Sequence, residues 1–123
     1  MTDTSTADLP TTCLELRSTV TDDGKATLAL RRSDIAELGD DQVLVKVEAA
    51  PINPSDLGML FAGGDVSSAA AVEGDLPAVA VSLTPGVLAA SGGRLGKPMP
   101  TGNEGGGTVV GAGSSAGAQG FKG

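Results

Sequence analysis

Apolar residues recur at every second position along residues 43–49. Val43, Val45, Val47 and Ala49 fall on one side and Leu44, Lys46 and Glu48 on the other. A repeat of two is the signature of a β-strand with unlike faces. Pro51 ends the run because proline has no amide proton to give to a ladder. Two earlier runs read the same way. Residues 12–20 alternate loosely, with Leu14, Leu16 and Ser18 together, and 25–30 set Ala26, Leu28 and Leu30 on one face. Asp22-Asp23-Gly24 between them is a turn signal, so the pair reads as a β-hairpin.

The remaining chain is less regular. Ser33-Asp34-Ile35-Ala36-Glu37 resembles the start of a short helical turn, and Gly39-Asp40-Asp41 then reverses the chain. Pro54 suits a first helical position with Asn53 as its N-cap, which predicts a turn or short helix through Leu60, closed by Gly63-Gly64. Residues 65–97 are rich in Ala, Gly and Ser and read as a mobile insertion with one short strand at 78–83. Residues 102–107 form a glycine turn, and Thr108-Val109-Val110 is a short strand that Gly111-Ala112-Gly113 terminates. Residues 114–123 read as a flexible tail. Residues 1–10, polar and closed by Pro10, read as disordered, leaving 11–123 as one domain. Roughly five short strands with little helix predict a mainly β fold, a small barrel rather than an α/β sheet.

Composition limits how stable and how reactive such a domain is. The 123 residues are 40% hydrophobic but 2% aromatic, with no Trp and no Tyr. Ala, Val and Leu bury little area each, and 19 glycines raise the entropy cost of ordering, so stability is expected to be marginal. The net charge of −7 argues against a nucleic-acid partner and suits a soluble cytoplasmic protein. The start lacks a basic and apolar leader, and the weakly polar stretch 76–90 is interrupted by Pro77, Ser82, Thr84 and Pro85-Gly86, so no membrane association is expected. There is no His, and Cys13 is the only cysteine. That excludes an internal disulfide, a Cys/His metal spacing and an imidazole base. Cys13 lies in a strand-like run and reads as a buried structural thiol.

Two turn segments carry most of the useful chemistry. The first is Ile52-Asn53-Pro54-Ser55-Asp56-Leu57; the second is Gly102-Asn103-Glu104-Gly105-Gly106-Gly107-Thr108-Val109-Val110. Read locally, Asn53 caps a turn and Asp56 serves local hydrogen bonding. The second segment is a glycine turn before a strand, in which a partly buried Glu104 would need a partner. A third segment, Gly111-Ala112-Gly113-Ser114-Ser115-Ala116, fits a relaxed dinucleotide pattern. No helix of useful length and no acidic residue follow it, so it is not read as a nucleotide fingerprint.

Together the first two segments resemble the N-terminal catalytic domain of the medium-chain dehydrogenase/reductase superfamily. Zinc-dependent members carry a cysteine ligand at the first corner and a histidine, as Gly-His-Glu, at the second. The corresponding residues here are Asn53 and Asn103, and a carboxamide is a poor zinc ligand beside a thiolate or an imidazole. The resemblance is therefore to the zinc-free, quinone-oxidoreductase-like branch. It implies a GroES-like, partly open β-barrel, no zinc, and hydride transfer from NAD(P)H to a quinone or an activated alkene. It places Asn53 on the nicotinamide and substrate side of the cleft, with Asp56, Asn103 and Glu104 behind it. The tyrosine that many relatives carry just after this asparagine has no counterpart in Leu57-Gly58-Met59-Leu60. Family enzymes continue into a Rossmann domain, so this chain is expected to be a truncated enzyme that binds no cofactor and is inactive alone. The alternative reading is a stand-alone GroES-like binding or assembly module without enzymatic activity, and a third is a degenerate fragment with no present function.

Overall fold

The structure, a computed structural model, describes residues 9–122. Its elements in chain order are β1 (Thr12–Thr21), β2 (Lys25–Asp34), β3 (Val43–Ala49), α1 (Pro54–Phe61), β4 (Asp65–Ala71), β5 (Ala78–Ser82), α2 (Pro85–Ala90), a 3-10 turn (Gly92–Arg94), β6 (Met99–Pro100), β7 (Gly106–Ala112) and α3 (Ala116–Gln119). The chain is mainly β, in two antiparallel sheets, and among the described residues neither sheet closes into a barrel. It divides into two compact units. One holds Leu14–Arg32 and Ile52–Asn103; the other holds the remaining residues. The expected disordered tail, 1–10, lies outside the described residues except for Leu9 and Pro10.

The first of these units is built on a five-stranded sheet of order β4-β5-β2-β1-β6. The β1–β2 hairpin forms where Asp22-Asp23-Gly24 predicts it. Gly24 N–H donates to the Thr21 carbonyl at 3.1 Å, and the Thr21 hydroxyl donates to Asp23 Oδ1. The alternation on β1 is graded. Leu14 and Leu16 are exposed, whereas Ser18 and Val20, further along the same side, are fully buried. Ala26 and Leu28 on β2 are buried as their spacing implies.

Two expectations are corrected. No helical turn forms at 33–37; β2 runs on through Asp34, and Ile35 N–H donates to the Thr11 carbonyl at 2.8 Å. Strand pairing supplies the backbone partners that a single helical turn would leave unmet. The stretch 65–97, read as an excursion with one strand, contains β4, β5, α2 and the 3-10 turn. β5 pairs with β2 in a continuous register from Lys25↔Ser82 to Ala29↔Ala78, and Ala80 and Val81 are buried. Its sequence, Ala-Val-Ala-Val-Ser, is apolar on both faces, so it has no period-two signal to read. The register slips between Asp65 and Ala70 on β4, where Ser82 N–H donates to the Ser68 hydroxyl at 2.7 Å instead of to a carbonyl.

The second unit holds the β3–β7 ribbon and α3. β3 forms within one residue of its predicted bounds and pairs with β7 from Val43↔Ala112 to Ala49↔Gly106, with two irregularities. Its alternation does not mark a buried face: Val45 and Val47 are 41% and 62% exposed. Apolar cover instead gathers at the Leu44 end, where Leu9, Ile35, Leu38, Leu44 and Ala112 line an open groove of about 490 Å³. Part of the segment read as a flexible tail is helical. Ser115 caps α3 by accepting from Ala118 N–H at 3.1 Å, and Ala118 is buried. Cys13 is half-buried.

Candidate functional site

Asn53 adopts extended backbone angles (φ −96°, ψ 159°) immediately before Pro54, which occupies the first turn of α1. This is the geometry of a helix start, since proline has no amide proton to lose there. Asp56 lies at the third helical position. Its Oδ2 accepts the Asn53 N–H at 2.7 Å, while its own N–H donates to the Asn53 carbonyl at 2.9 Å. The two residues form a capping box. At the other end Ala62, in the left-handed region (φ 53°), closes the helix with its N–H on the Gly58 carbonyl at 2.9 Å.

Asp56 does more than cap. It is 3% exposed, and its second oxygen, Oδ1, accepts from Asn103 Nδ2 at 3.1 Å. One carboxylate therefore bonds to residues of both chemistry-bearing segments, and Asn103 lies 47 positions from Asp56 in the chain. A buried carboxylate costs free energy unless it is hydrogen-bonded, and here each oxygen has a donor. Gly102 has φ +83°, a conformation that L side chains rarely adopt, so glycine is what lets the chain turn immediately before Asn103. The same loop is tied to β1. Thr101 Oγ1 donates to the Leu16 carbonyl at 2.9 Å, and β6 pairs Met99 with Ser18.

The expected site residues are thus partly assembled. Asn53, Asp56 and Asn103 come together, with Asp56 as the shared partner. Asn53 is half-buried and Asn103 exposed. Glu104 belongs to the other unit and is exposed, because the glycines around it offer no side chains to cover it. Among the described residues no group of three or more His, Cys, Asp and Glu is placed to hold a metal ion. No helix there is long and apolar enough to cross a membrane.

Sequence reasoning missed a second cluster at the far end of α1. Ser18, fully buried on β1, donates its Oγ–H to the Leu60 carbonyl at 2.8 Å and accepts from Arg94 Nη2 at 2.9 Å. Arg94 Nη2 also lies 3.3 Å from the Met59 carbonyl, and its Nε is buried without a partner. A cation beside the last carbonyls of a helix opposes the negative end of its dipole. The available signal was charge: between 76 and 99, Arg94 and Lys97 are the only ionisable residues. Arg94→Met removes both hydrogen bonds and leaves Ser18 with one fewer partner. It is expected to lower stability by about 1–2 kcal/mol, read as a shift in the urea midpoint at constant slope.

The chain matches no protein-family model and no curated protein.

Proposed function

We propose that this chain is the N-terminal, GroES-like catalytic domain of a cytoplasmic, zinc-independent, NAD(P)H-dependent oxidoreductase, of the quinone-oxidoreductase or enoyl-reductase kind within the medium-chain dehydrogenase/reductase superfamily. The observation that carries the reading is the Asp56 carboxylate joining Asn53 to Asn103. In metal-using members those two corners supply thiolate and imidazole to one ion. Here both corners carry carboxamides, and the carboxylate between them already holds two protein donors, the Asn53 backbone N–H and the Asn103 side-chain NH2, a set that suits neutral hydrogen-bonding ligands better than zinc. Exposed Ile52 (76%) and Leu57 (48%) flank Asn53 and Asp56 in the sequence and give apolar surface suited to a ring or an alkene.

Bound NAD(P)H would supply the hydride. The residues present fit its nicotinamide: an uncharged carboxamide finds a counterpart in Asn103, whose Oδ1 has no partner among the described residues. Asn53 would face the nicotinamide and substrate, Asp56 and Asn103 would hold the corner, and Glu104 would support its loop. Their contribution is position and electrostatics. The pyrophosphate and adenosine are held in family enzymes by a parallel sheet-and-helix unit, whereas the strand ladders among the described residues are antiparallel.

The expected result is therefore split. In an assay of NADH and NADPH oxidation against a panel of quinones and enones, these residues alone give background rates. Reduced nicotinamide mononucleotide, added at about 10 mM because a truncated ligand binds weakly, still shifts backbone amide resonances at 52–56 and 102–104. Rapid turnover would refute the first expectation. An unmoved spectrum at those positions would refute the oxidoreductase reading itself.

A further inference from the structure

The orientation of an asparagine amide is normally a choice between two nearly equivalent flips. At Asn103 the neighbour decides it. A carboxylate accepts hydrogen bonds and has none to give. Asp56 Oδ2 takes the fixed backbone N–H of Asn53, and Oδ1 faces Asn103 at 3.1 Å. The group of Asn103 turned toward Asp56 is therefore its NH2. The oxygen is the atom left over, it has no partner among the described residues, and the residue is exposed.

From this geometry, and resting on the function proposed above, we infer that Asp56 is a positioning residue that locks the Asn103 carboxamide oxygen outward, so that this corner selects a hydrogen-bond donor, the carboxamide NH2 of a reduced nicotinamide, over the acceptor carbonyl of a quinone or enone. An acceptor brought to Asn103 Oδ1 would set lone pairs against lone pairs. Asn103 accordingly serves the cofactor side of the reaction, and it does not polarise the substrate carbonyl.

The inference predicts what happens when the lock is reversed. In Asp56→Asn the backbone N–H of Asn53 still requires an oxygen. The new amide must then turn its NH2 toward Asn103, and Asn103 must turn its own NH2 outward. Shape and volume barely change, but the selectivity for a donor disappears.

Side-chain amide NMR on the whole chain reads this directly. Two probes differ in one group: reduced nicotinamide mononucleotide, and its 3-acetylpyridine counterpart, in which a methyl replaces the NH2. The nucleotide is expected to shift the Asn103 side-chain resonance and to bind about fivefold tighter than the acetyl analogue, the worth of one modest hydrogen bond. Asp56→Asn is expected to remove that preference and to let benzoquinone perturb Asn103. Should that variant fail to fold, Asn103→Ala, at an exposed position, is expected to remove the preference as well. Equal affinity for the two probes in the unaltered chain, a preference that survives either substitution, or a response of Asn103 to benzoquinone alone would overturn the inference and leave the oxidoreductase reading standing. If neither nucleotide moves any resonance at 52–56 or 102–104, both fall.

Discussion

Gly113→Ala is expected to destabilise the protein by about 3 kcal/mol, the upper end of the usual cost of overpacking. An added Cβ would overlap the carbonyl oxygens of Gly39 and Asp40 and come within 2.6 Å of the Asp40 carbonyl carbon. These are backbone atoms, and they have little freedom to retreat. Gly113 N–H donates to the Gln42 carbonyl at 2.7 Å and Ser115 N–H to the Asp40 carbonyl at 3.0 Å. Ser114 Oγ donates to Asp40 Oδ1 at 2.7 Å, and Gln119 Nε2 to the Gly113 carbonyl at 2.8 Å. Moving Gly113 away from 39–40 breaks several of these bonds together. Urea unfolding followed by circular dichroism measures the loss. Gly117→Ala is the control: it lies in α3 with nothing closer to the added carbon than the Ser115 hydroxyl at 4.0 Å, so it should be neutral or slightly stabilising. Equal midpoints for the two variants would show that the 39–40 turn yields. The same glycine explains the resemblance of 111–116 to a nucleotide fingerprint: its missing side chain admits the protein's own backbone.

The second large effect is expected at Asp56. Asp56→Ala removes two bonds, the Asn53 N–H bond that completes the helix cap and the Asn103 bond, each worth about 1 kcal/mol. The expected loss is about 2 kcal/mol, measured as a fall in the urea midpoint. The two contributions separate in a double-mutant cycle. Asn103→Ala, being exposed, should cost about 1 kcal/mol by itself and nearly nothing once Asp56 is already alanine. Additive effects would mean that the 3.1 Å contact does not stabilise the fold. Hydrogen exchange offers an independent check, since the Asn53 amide loses its acceptor and should exchange faster in Asp56→Ala.

Local chemistry made part of this protein legible. The β1–β2 turn, the β3 strand and both ends of α1 follow from residues next to one another, because turn, alternation and cap signals act over a few positions. Asn53, Pro54 and Gly63 mark α1 almost to the residue. Burial was less legible. The strongest alternation, on β3, produced a strand whose Val45 and Val47 stay in solvent, while β5, with no alternation, is an interior strand paired on both sides, by β4 and β2. Period reports a difference between two faces, and a strand covered on both has none to report. The hub of the candidate site was hidden for another reason. Asp56 is a routine cap residue in its own segment, and only the return of the chain 47 residues later gives its second oxygen a partner. The Ser18–Arg94 contact spans 76 residues and is equally invisible to local rules.

Among the described residues the buried apolar set of the larger sheet is Val20, Ala26, Leu28, Ala80 and Val81, and Ser18 is fully buried as well. So few and such small groups shed little water when they come together. The heat capacity change on unfolding follows the apolar area that is rehydrated, so the dome of stability against temperature is low and broad. Between chilling and mild warming its stability is expected to vary little around a low maximum.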